Sequence, residues 1–127
     1  MSGANRRSRE DWLRDIVLWG ERLAGHLDGV TREAFSADKL RQDGAIRCIE
    51  VVGEASKQLM QAVPGIETTH PELDLKRAYA TRIKIAHGYF ATDEDIVWIA
   101  ATVSVPRTVQ AARALLNASQ SDADGEP

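Results

Sequence analysis

Three residue types that can act on a phosphate group occur close together at Arg82, His87 and Tyr89. A histidine has an ordinary pKa of about 6.5, so it can transfer protons near neutral pH. An arginine presents a planar fork of donors to a phosphate. A tyrosine hydroxyl can hydrogen-bond to a phosphate or be covalently modified. The combination favours proton transfer beside a phosphate group.

Helical geometry brings these three positions together only in part. Positions 82 and 89 are seven residues apart and lie near one face of a helix, whereas positions 82 and 87 diverge. All three groups converge only if the helix ends at Gly88, which can adopt the left-handed conformation, or if a second subunit completes the site. Structural roles also fit the residues: His87 would be stabilised by the helix dipole, and Arg82 would pair with Glu54, a carboxylate in an apolar setting.

The first half of the chain contains two stretches in which apolar residues recur every three or four positions, the spacing of amphipathic helices. They predict helices from Arg9 to Leu27 and from about Asp38 to Val63. Thr31 to Phe35 predicts a short helical turn between them. Gly53 inside the second helix indicates close approach of another helix, because a mid-helix glycine costs about 1 kcal/mol relative to alanine.

The second half of the chain predicts two more long helices. After a polar loop, the third begins at Pro71 and ends at His87. The fourth follows a capping box formed by Thr92 and Asp95, is kinked at Pro106 and extends to Leu116. No strand alternation is present, so we expect an all-α, up-and-down four-helix bundle with one extra helical turn. Residues 1–117 form its single domain, and residues 118–127 are predicted to be a disordered tail.

Composition narrows the possible classes of protein. The chain is 43% apolar and 28% charged, which is typical of a globular domain. It has no run of about 18 apolar residues and no secretory signal at the first ten positions, so we expect a cytoplasmic protein without a membrane contact. The net charge of -3 gives no global attraction to nucleic acid, so any contact must be local, such as a cleft lined by a few arginines. The single cysteine, Cys48, and the isolated His26 and His70 predict no metal site.

Three segments of the sequence resemble a known protein family. Arg82, four further residues and then His87-Gly88-Tyr89 match the R-x4-6-H-x-Y motif of HEPN ribonucleases. The segment from Ile49 to Ala55 resembles the "IGEA" segment of the second long helix, and residues 90–98 resemble the "HGYF...D...VW" run. From about Asp15 to Leu116, the chain therefore resembles the HepT-like toxins of the HEPN superfamily.

The resemblance implies an endoribonuclease toxin that works without a metal or cofactor of its own. His87 would assist proton transfer at the ribose 2'-hydroxyl or at the leaving oxygen, and Arg82 would stabilise charge on the phosphate. Glu54 would support Arg82. The product would be a 2',3'-cyclic phosphate, and a homodimer would bring two motifs to a shared cleft.

The resemblance also implies a partner. In such pairs the antitoxin is an MntA-like nucleotidyltransferase, which uses ATP and magnesium to attach AMP to the motif tyrosine, here Tyr89. Many family members carry asparagine after the motif arginine, where this chain has Ile83. Ile83 favours an alternative, a catalytically silent HEPN module that binds a nucleotidyltransferase. An RNA-cleavage assay with motif variants separates the two hypotheses.

Overall fold

Every regular element in the described part of the computed structural model, residues 6–87 and 93–124, is helical. In chain order the elements are α1 (Arg9–Leu27), α2 (Arg32–Ser36), α3 (Lys39–Ala62), α4 (Ile66–Thr69), a 3-10 turn (Pro71–Leu73), α5 (Leu75–His87), α6 (Glu94–Ile99), a π-helical turn (Ala100–Ser104) and α7 (Val105–Asp124). The all-α prediction is confirmed. Among these elements, no helix is both long enough and apolar enough to cross a membrane.

Side-chain caps define the starts of the first three helices. Ser8 and Asp11 form a capping box at α1, in which each side chain accepts a hydrogen bond from the other residue's backbone N–H. Thr31 caps α2, which is the predicted extra turn. The carboxylate of Asp38 accepts a hydrogen bond of 3.0 Å from the backbone N–H of Arg41 at α3. The bounds predicted for the first two long helices from apolar periodicity agree with the structure to within one residue.

The connection between α3 and α5 is more ordered than the predicted polar loop. It contains α4 and the 3-10 turn, and each contributes a fully buried apolar residue, Ile66 and Leu73 respectively. Asp74 then adopts a left-handed conformation with φ of 53°. This residue separates the 3-10 turn from α5, so the regular third helix begins at Leu75 rather than at Pro71.

The last long helix runs from Glu94 to Asp124 and changes its winding in the middle. Its N-cap is Asp93, whose side chain accepts a 2.8 Å hydrogen bond from the backbone of Asp95, so the predicted capping box of Thr92 and Asp95 is replaced. Thr92 itself lies outside the described residues. In place of a simple kink at Pro106, a π-helical turn precedes the proline, and the N–H of Val105 donates to the carbonyl of Ala100, five residues earlier.

The C-terminal end of α7 extends past the predicted domain boundary. The sequence predicts a disordered tail from Ala118, but the helix continues through Asp124, and residues 125–127 lie outside the described part. From Ala118 to Asp124 the chain has neither glycine nor proline, so nothing in this segment ends the helix. The hydroxyl of Ser119 also lies 3.4 Å from a carboxylate oxygen of Glu10, which holds this segment against α1.

The core lies between four long helical elements, with α3 packed against α1 and α5, and α1 packed against α7. Leu13, Ile16, Ile49 and Val52 are among its fully buried residues. Away from this centre, the hydroxyl of Thr108 donates a buried 2.8 Å hydrogen bond to the carbonyl of Leu73, which ties α7 to the 3-10 turn. The helical bundle predicted from apolar periodicity is confirmed, and it presents α3 and α5 side by side.

Candidate active site

Arg82 and Glu54 form an ion pair between α5 and α3. The Nε atom of Arg82 lies 3.4 Å from Oε1 of Glu54, and both side chains are partly exposed, at 33% and 42%. The contact lacks hydrogen-bond geometry, because the same Nε atom is buried without a hydrogen-bond partner. The other carboxylate oxygen of Glu54 accepts a 2.9 Å hydrogen bond from the side-chain amide of Gln58. Glu54 is therefore held by its own helix and faces Arg82, as the sequence analysis anticipated.

Gly53 makes this pairing possible by allowing α5 to approach α3 closely. A Cβ atom at position 53 would lie 2.5 Å from Cβ of Arg82 and 2.8 Å from the carbonyl oxygen of Ala78. Real Cβ contacts are essentially never shorter than 3.0 Å. The predicted role of Gly53 in helix approach is confirmed, and the helix it admits is the one that carries Arg82.

A cleft of about 320 Å³ opens beside the ion pair. Its wall is formed by Trp12, Asp15, Arg47, Glu50, Val51, Glu54, Ala55 and Arg82. The polar residues from α3 recur at intervals of three or four positions, so they lie along one face of that helix. Arg82 reaches the same wall from α5, and its guanidinium can donate hydrogen bonds to a ligand in the cleft.

Two arginines lie against the ring of Trp19, and this cluster was not predicted from the sequence. The guanidinium carbon of Arg22 lies 4.4 Å from the centre of the Trp19 ring, and that of Arg47 lies 5.7 Å from it. The three-residue spacing of Trp19 and Arg22 was a usable signal, since residues i and i+3 are neighbours on a helix. The approach of Arg47 from α3 depends on how the two helices pack, which no local pattern reveals.

Two residues of the predicted constellation have no described side chain. His87 is the last residue of α5, and only its place in the helix is described. Positions 82 and 87 are five residues apart on one continuous helix, so they are about 140° apart around its axis. Tyr89 lies outside the described residues. The structure thus brings Arg82 to Glu54 and leaves the other two assignments as predictions.

The remaining candidate groups have structural surroundings. Cys48 is 1% exposed, and burial raises the pKa of its thiol, so it is a packed core residue. His26 is exposed at the end of α1. The Nδ1 atom of His70 lies 3.3 Å from a carboxylate oxygen of Glu72 in the connection before α5. Among the side chains described, those of residues 6–86 and 93–121, no group of three or more histidine, cysteine, aspartate or glutamate residues has an arrangement that could hold a metal ion.

Comparison with known proteins assigns the chain to a family. The family model described as Ribonuclease HepT-like matches residues 20–115. The chain belongs to the HepT-like ribonuclease family. A relative from Thermococcus cleftensis, named "Probable ribonuclease HepT", is 31% identical over 101 residues, covering 80% of this chain and 89% of the relative. A Methanocaldococcus jannaschii protein named "Putative RNase MJ0125" is 29% identical, covering 80% of this chain and 84% of that protein.

The HepT-like match includes all four residues that the sequence predicts for the site. Residues 20–115 include Glu54, Arg82, His87 and Tyr89, whereas Trp12 and Trp19 lie before the matched range. The family resemblance inferred from the motif is confirmed, and with it the general assignment to the ribonucleases. No solved structure matches this chain.

Proposed function

We propose that this HepT-like chain is a metal-independent endoribonuclease toxin whose catalytic residues are Arg82 and His87. The observation that carries the proposal is the position of Arg82, which is fixed beside Glu54 at the edge of a cleft and lies within the part matched by the ribonuclease family. A partly exposed guanidinium can bind a phosphate while its carboxylate partner orients it.

The reaction is an internal transfer of the phosphate. The ribose 2'-oxygen loses its proton and attacks phosphorus, the bond from phosphorus to the 5'-oxygen breaks, and that oxygen takes up a proton. The products are a 2',3'-cyclic phosphate and a free 5'-hydroxyl. His87 transfers one of the two protons, and Arg82 stabilises the charge that accumulates on the phosphate oxygens. The other proton is exchanged with solvent water, so the reaction needs only groups of the chain, the RNA and water.

We further propose that the chain acts as a homodimer. Positions 82 and 87 lie about 140° apart around α5, so a second subunit is the simplest way to bring both groups to one cleft. Among the residues whose side chains are described, four large apolar ones are exposed and available for an interface: Leu18, Leu40, Ile99 and Val103. Light scattering at micromolar concentration should give twice the chain mass of 14.0 kDa. A monomeric mass that does not change on concentration contradicts the shared cleft.

The proposed partner is an MntA-like nucleotidyltransferase antitoxin that attaches AMP to Tyr89. Its ATP and magnesium belong to the partner, and this chain supplies only the accepting hydroxyl. The position of Tyr89 supports the proposal because this residue follows the proposed proton-transfer residue, His87, by only two positions in the sequence. The added phosphate would place negative charge beside Arg82.

The test of catalysis is RNA cleavage by Arg82→Ala and His87→Ala variants in the presence of a chelator. Both should lose cleavage and growth inhibition while circular dichroism shows unchanged helical content. Arg107→Ala is the matched control, since Arg107 is an exposed arginine on α7 outside the cleft. If His87→Ala cleaves RNA as fast as the parent, the catalytic assignment is wrong.

The second candidate function is a catalytically silent module that binds a nucleotidyltransferase. The charge of the cleft favours it, because three carboxylates, Asp15, Glu50 and Glu54, face two arginines there. A purified parent chain that binds the nucleotidyltransferase but leaves RNA intact would support this function and exclude the first.

A further inference from the structure

Two guanidinium groups from different helices meet at one indole ring. Arg22 and Trp19 lie on α1, and Arg47 reaches the same ring from α3, at the distances of 4.4 Å and 5.7 Å given above. Both arginines are exposed, whereas Trp19 is partly buried against the core. The ring therefore anchors two cationic side chains at the surface through cation–π contacts.

Neither arginine has a carboxylate partner in the described part of the chain. Within the described residues, no aspartate or glutamate oxygen lies within 4.0 Å of Arg22 or Arg47. Arg7 differs from them. Its guanidinium carbon lies 4.1 Å from the centre of the Trp12 ring, but it also forms an ion pair with Asp15 at 2.7 Å. Two like charges close to each other repel, and a bound anion would relieve that repulsion.

The charges of Arg22 and Arg47 both act on Cys48, a buried residue of α3. Burial raises the pKa of the Cys48 thiol, and the positive charges of Arg22 and Arg47 act in the opposite direction. Trp19, Arg22 and Arg47 therefore form a surface patch with two cations, beside a cleft wall that also carries Asp15, Glu50 and Glu54.

This patch is continuous with the cleft of the candidate active site. Arg47 belongs to the cleft wall as well as to the Trp19 cluster. It precedes Glu54 by seven residues on α3, which places the two residues on one helix face and roughly 10 Å apart along the axis. A ligand that leaves the Arg82 end of the cleft along α3 would reach Arg47 and then Arg22.

We propose that Trp19, Arg22 and Arg47 form a binding subsite for single-stranded RNA next to the cleft. This inference rests on the proposed ribonuclease function. The guanidinium groups would bind backbone phosphates, and the indole ring of Trp19 or a guanidinium plane beside it would stack on an unpaired base. A second copy of the chain fits less well, because a subunit interface would bury two cations without partners.

The experiment measures binding of a fluorescent single-stranded oligonucleotide in which every 2'-hydroxyl is methylated. This probe cannot be cleaved by the proposed reaction, so binding is measured separately from catalysis. The variant is Arg22→Ala with Arg47→Ala. The control is Lys76→Ala with Arg107→Ala, which removes two exposed cations on α5 and α7 that also have no ion pair among the described residues. Affinity is measured over a range of salt concentrations.

The subsite variant should bind about tenfold more weakly than the parent at low salt. The slope of log affinity against log salt should fall by roughly 1.4, since two phosphate contacts are lost. The control should keep the parental slope, and a duplex of the same sequence should bind the parent more weakly than the single strand. Equal losses in both double variants, equal binding of duplex and single strand, or a reduced mass of the subsite variant in light scattering would each overturn the proposal.

The two proposals fail in different ways. If the parent binds the methylated probe through Arg22 and Arg47 but cleaves no natural RNA, the subsite stands and the catalytic function is wrong. If the parent cleaves natural RNA but the subsite variant binds the probe as the parent does, cleavage stands and the subsite is wrong.

Discussion

Arg82 packs directly against Gly53, and it can do so because glycine has no side chain. The Cβ of Arg82 occupies the space that a Cβ on residue 53 would need, with a separation of only 2.5 Å. The carbonyl oxygen of Ala78 closes the same space at 2.8 Å, and a backbone atom cannot rotate away. The position of the candidate catalytic arginine therefore depends on a glycine in a different helix.

Gly53→Ala should move α5 away from α3 and displace Arg82. We expect a loss of about 1–3 kcal/mol in the free energy of unfolding, from which the better helix propensity of alanine recovers up to about 1 kcal/mol. RNA cleavage should fall further than the remaining folded fraction explains. Urea unfolding and a cleavage assay on the folded protein measure the two effects.

Gly25→Ala is the matched control, because it makes the same change in α1 where no atom lies within 4 Å of the new Cβ. It should stabilise the protein by up to about 1 kcal/mol and leave cleavage unchanged. Equal behaviour of the two variants would show that the close approach at Gly53 has no functional consequence.

Glu54→Gln should slow cleavage by weakening the orientation of Arg82. Because both side chains are partly exposed, the loss of this ion pair should change stability by at most about 1 kcal/mol. A positioning residue should lower kcat with little change in KM. Glu21→Gln, which breaks the exposed pair with Arg113, is the control and should affect neither constant. A normal kcat for Glu54→Gln would remove Glu54 from the site.

The stability that Asp38 contributes by capping α3 should depend on pH. The hydrogen bond from the backbone N–H of Arg41, followed by the side chain of Arg41, lowers the pKa of the Asp38 carboxyl below its ordinary value of 3.8. A carboxyl with a lowered pKa in the folded state contributes stability above its unfolded pKa, and that contribution disappears as the pH falls through the folded pKa. The contribution should therefore be complete at neutral pH and be lost below about 3.8.

The measurement is the urea midpoint of Asp38→Asn and Asp38→Ala at several pH values. Asparagine can still cap α3 but does not titrate, so its deficit relative to the parent should shrink on acidification. Alanine should be the less stable variant at neutral pH because it leaves the N–H of Arg41 without its cap. A constant difference between parent and asparagine variant across the acid range would exclude this linkage.

Tyr89→Phe should abolish silencing by the partner while preserving the aromatic ring. The phenolic hydroxyl is the only group of this side chain that can accept AMP, so its removal prevents the transfer. Mass spectrometry of the chain after incubation with the nucleotidyltransferase, ATP and magnesium should show AMP on the peptide that contains Tyr89. Equal modification of the Tyr89→Phe variant, or modification confined to another residue, would refute the mechanism.

Local signals in the sequence predicted much of this fold, and packing determined the rest. Apolar residues recurring every three or four positions placed α1 and α3 in advance, and the structure adds the caps Ser8 and Asp38 at their starts. The connection before α5 could not, because its order comes from burying Ile66 and Leu73 against distant helices. The pairing of Arg82 with Glu54 followed from the cost of an isolated carboxylate among apolar neighbours. The approach of Arg47 to Trp19 had no such warning, since it requires the relative rotation of two helices.

The π-helical turn at Ala100–Ser104 holds one residue more than an ordinary helical turn, so the bundle should tolerate the deletion of a single residue there. Removal of one residue, such as the exposed Thr102, would convert it into an ordinary α-helical turn and leave Glu94–Ile99 facing nearly the same direction relative to α7. Val97 would stay in the core, and Arg32 would keep its contact with Asp95, now 2.7 Å. In an alignment of relatives, a one-residue gap at this point would therefore mark a protein with a regular helix and the same packing, whereas a gap in the regular part of α7 would turn the helix by about 100°.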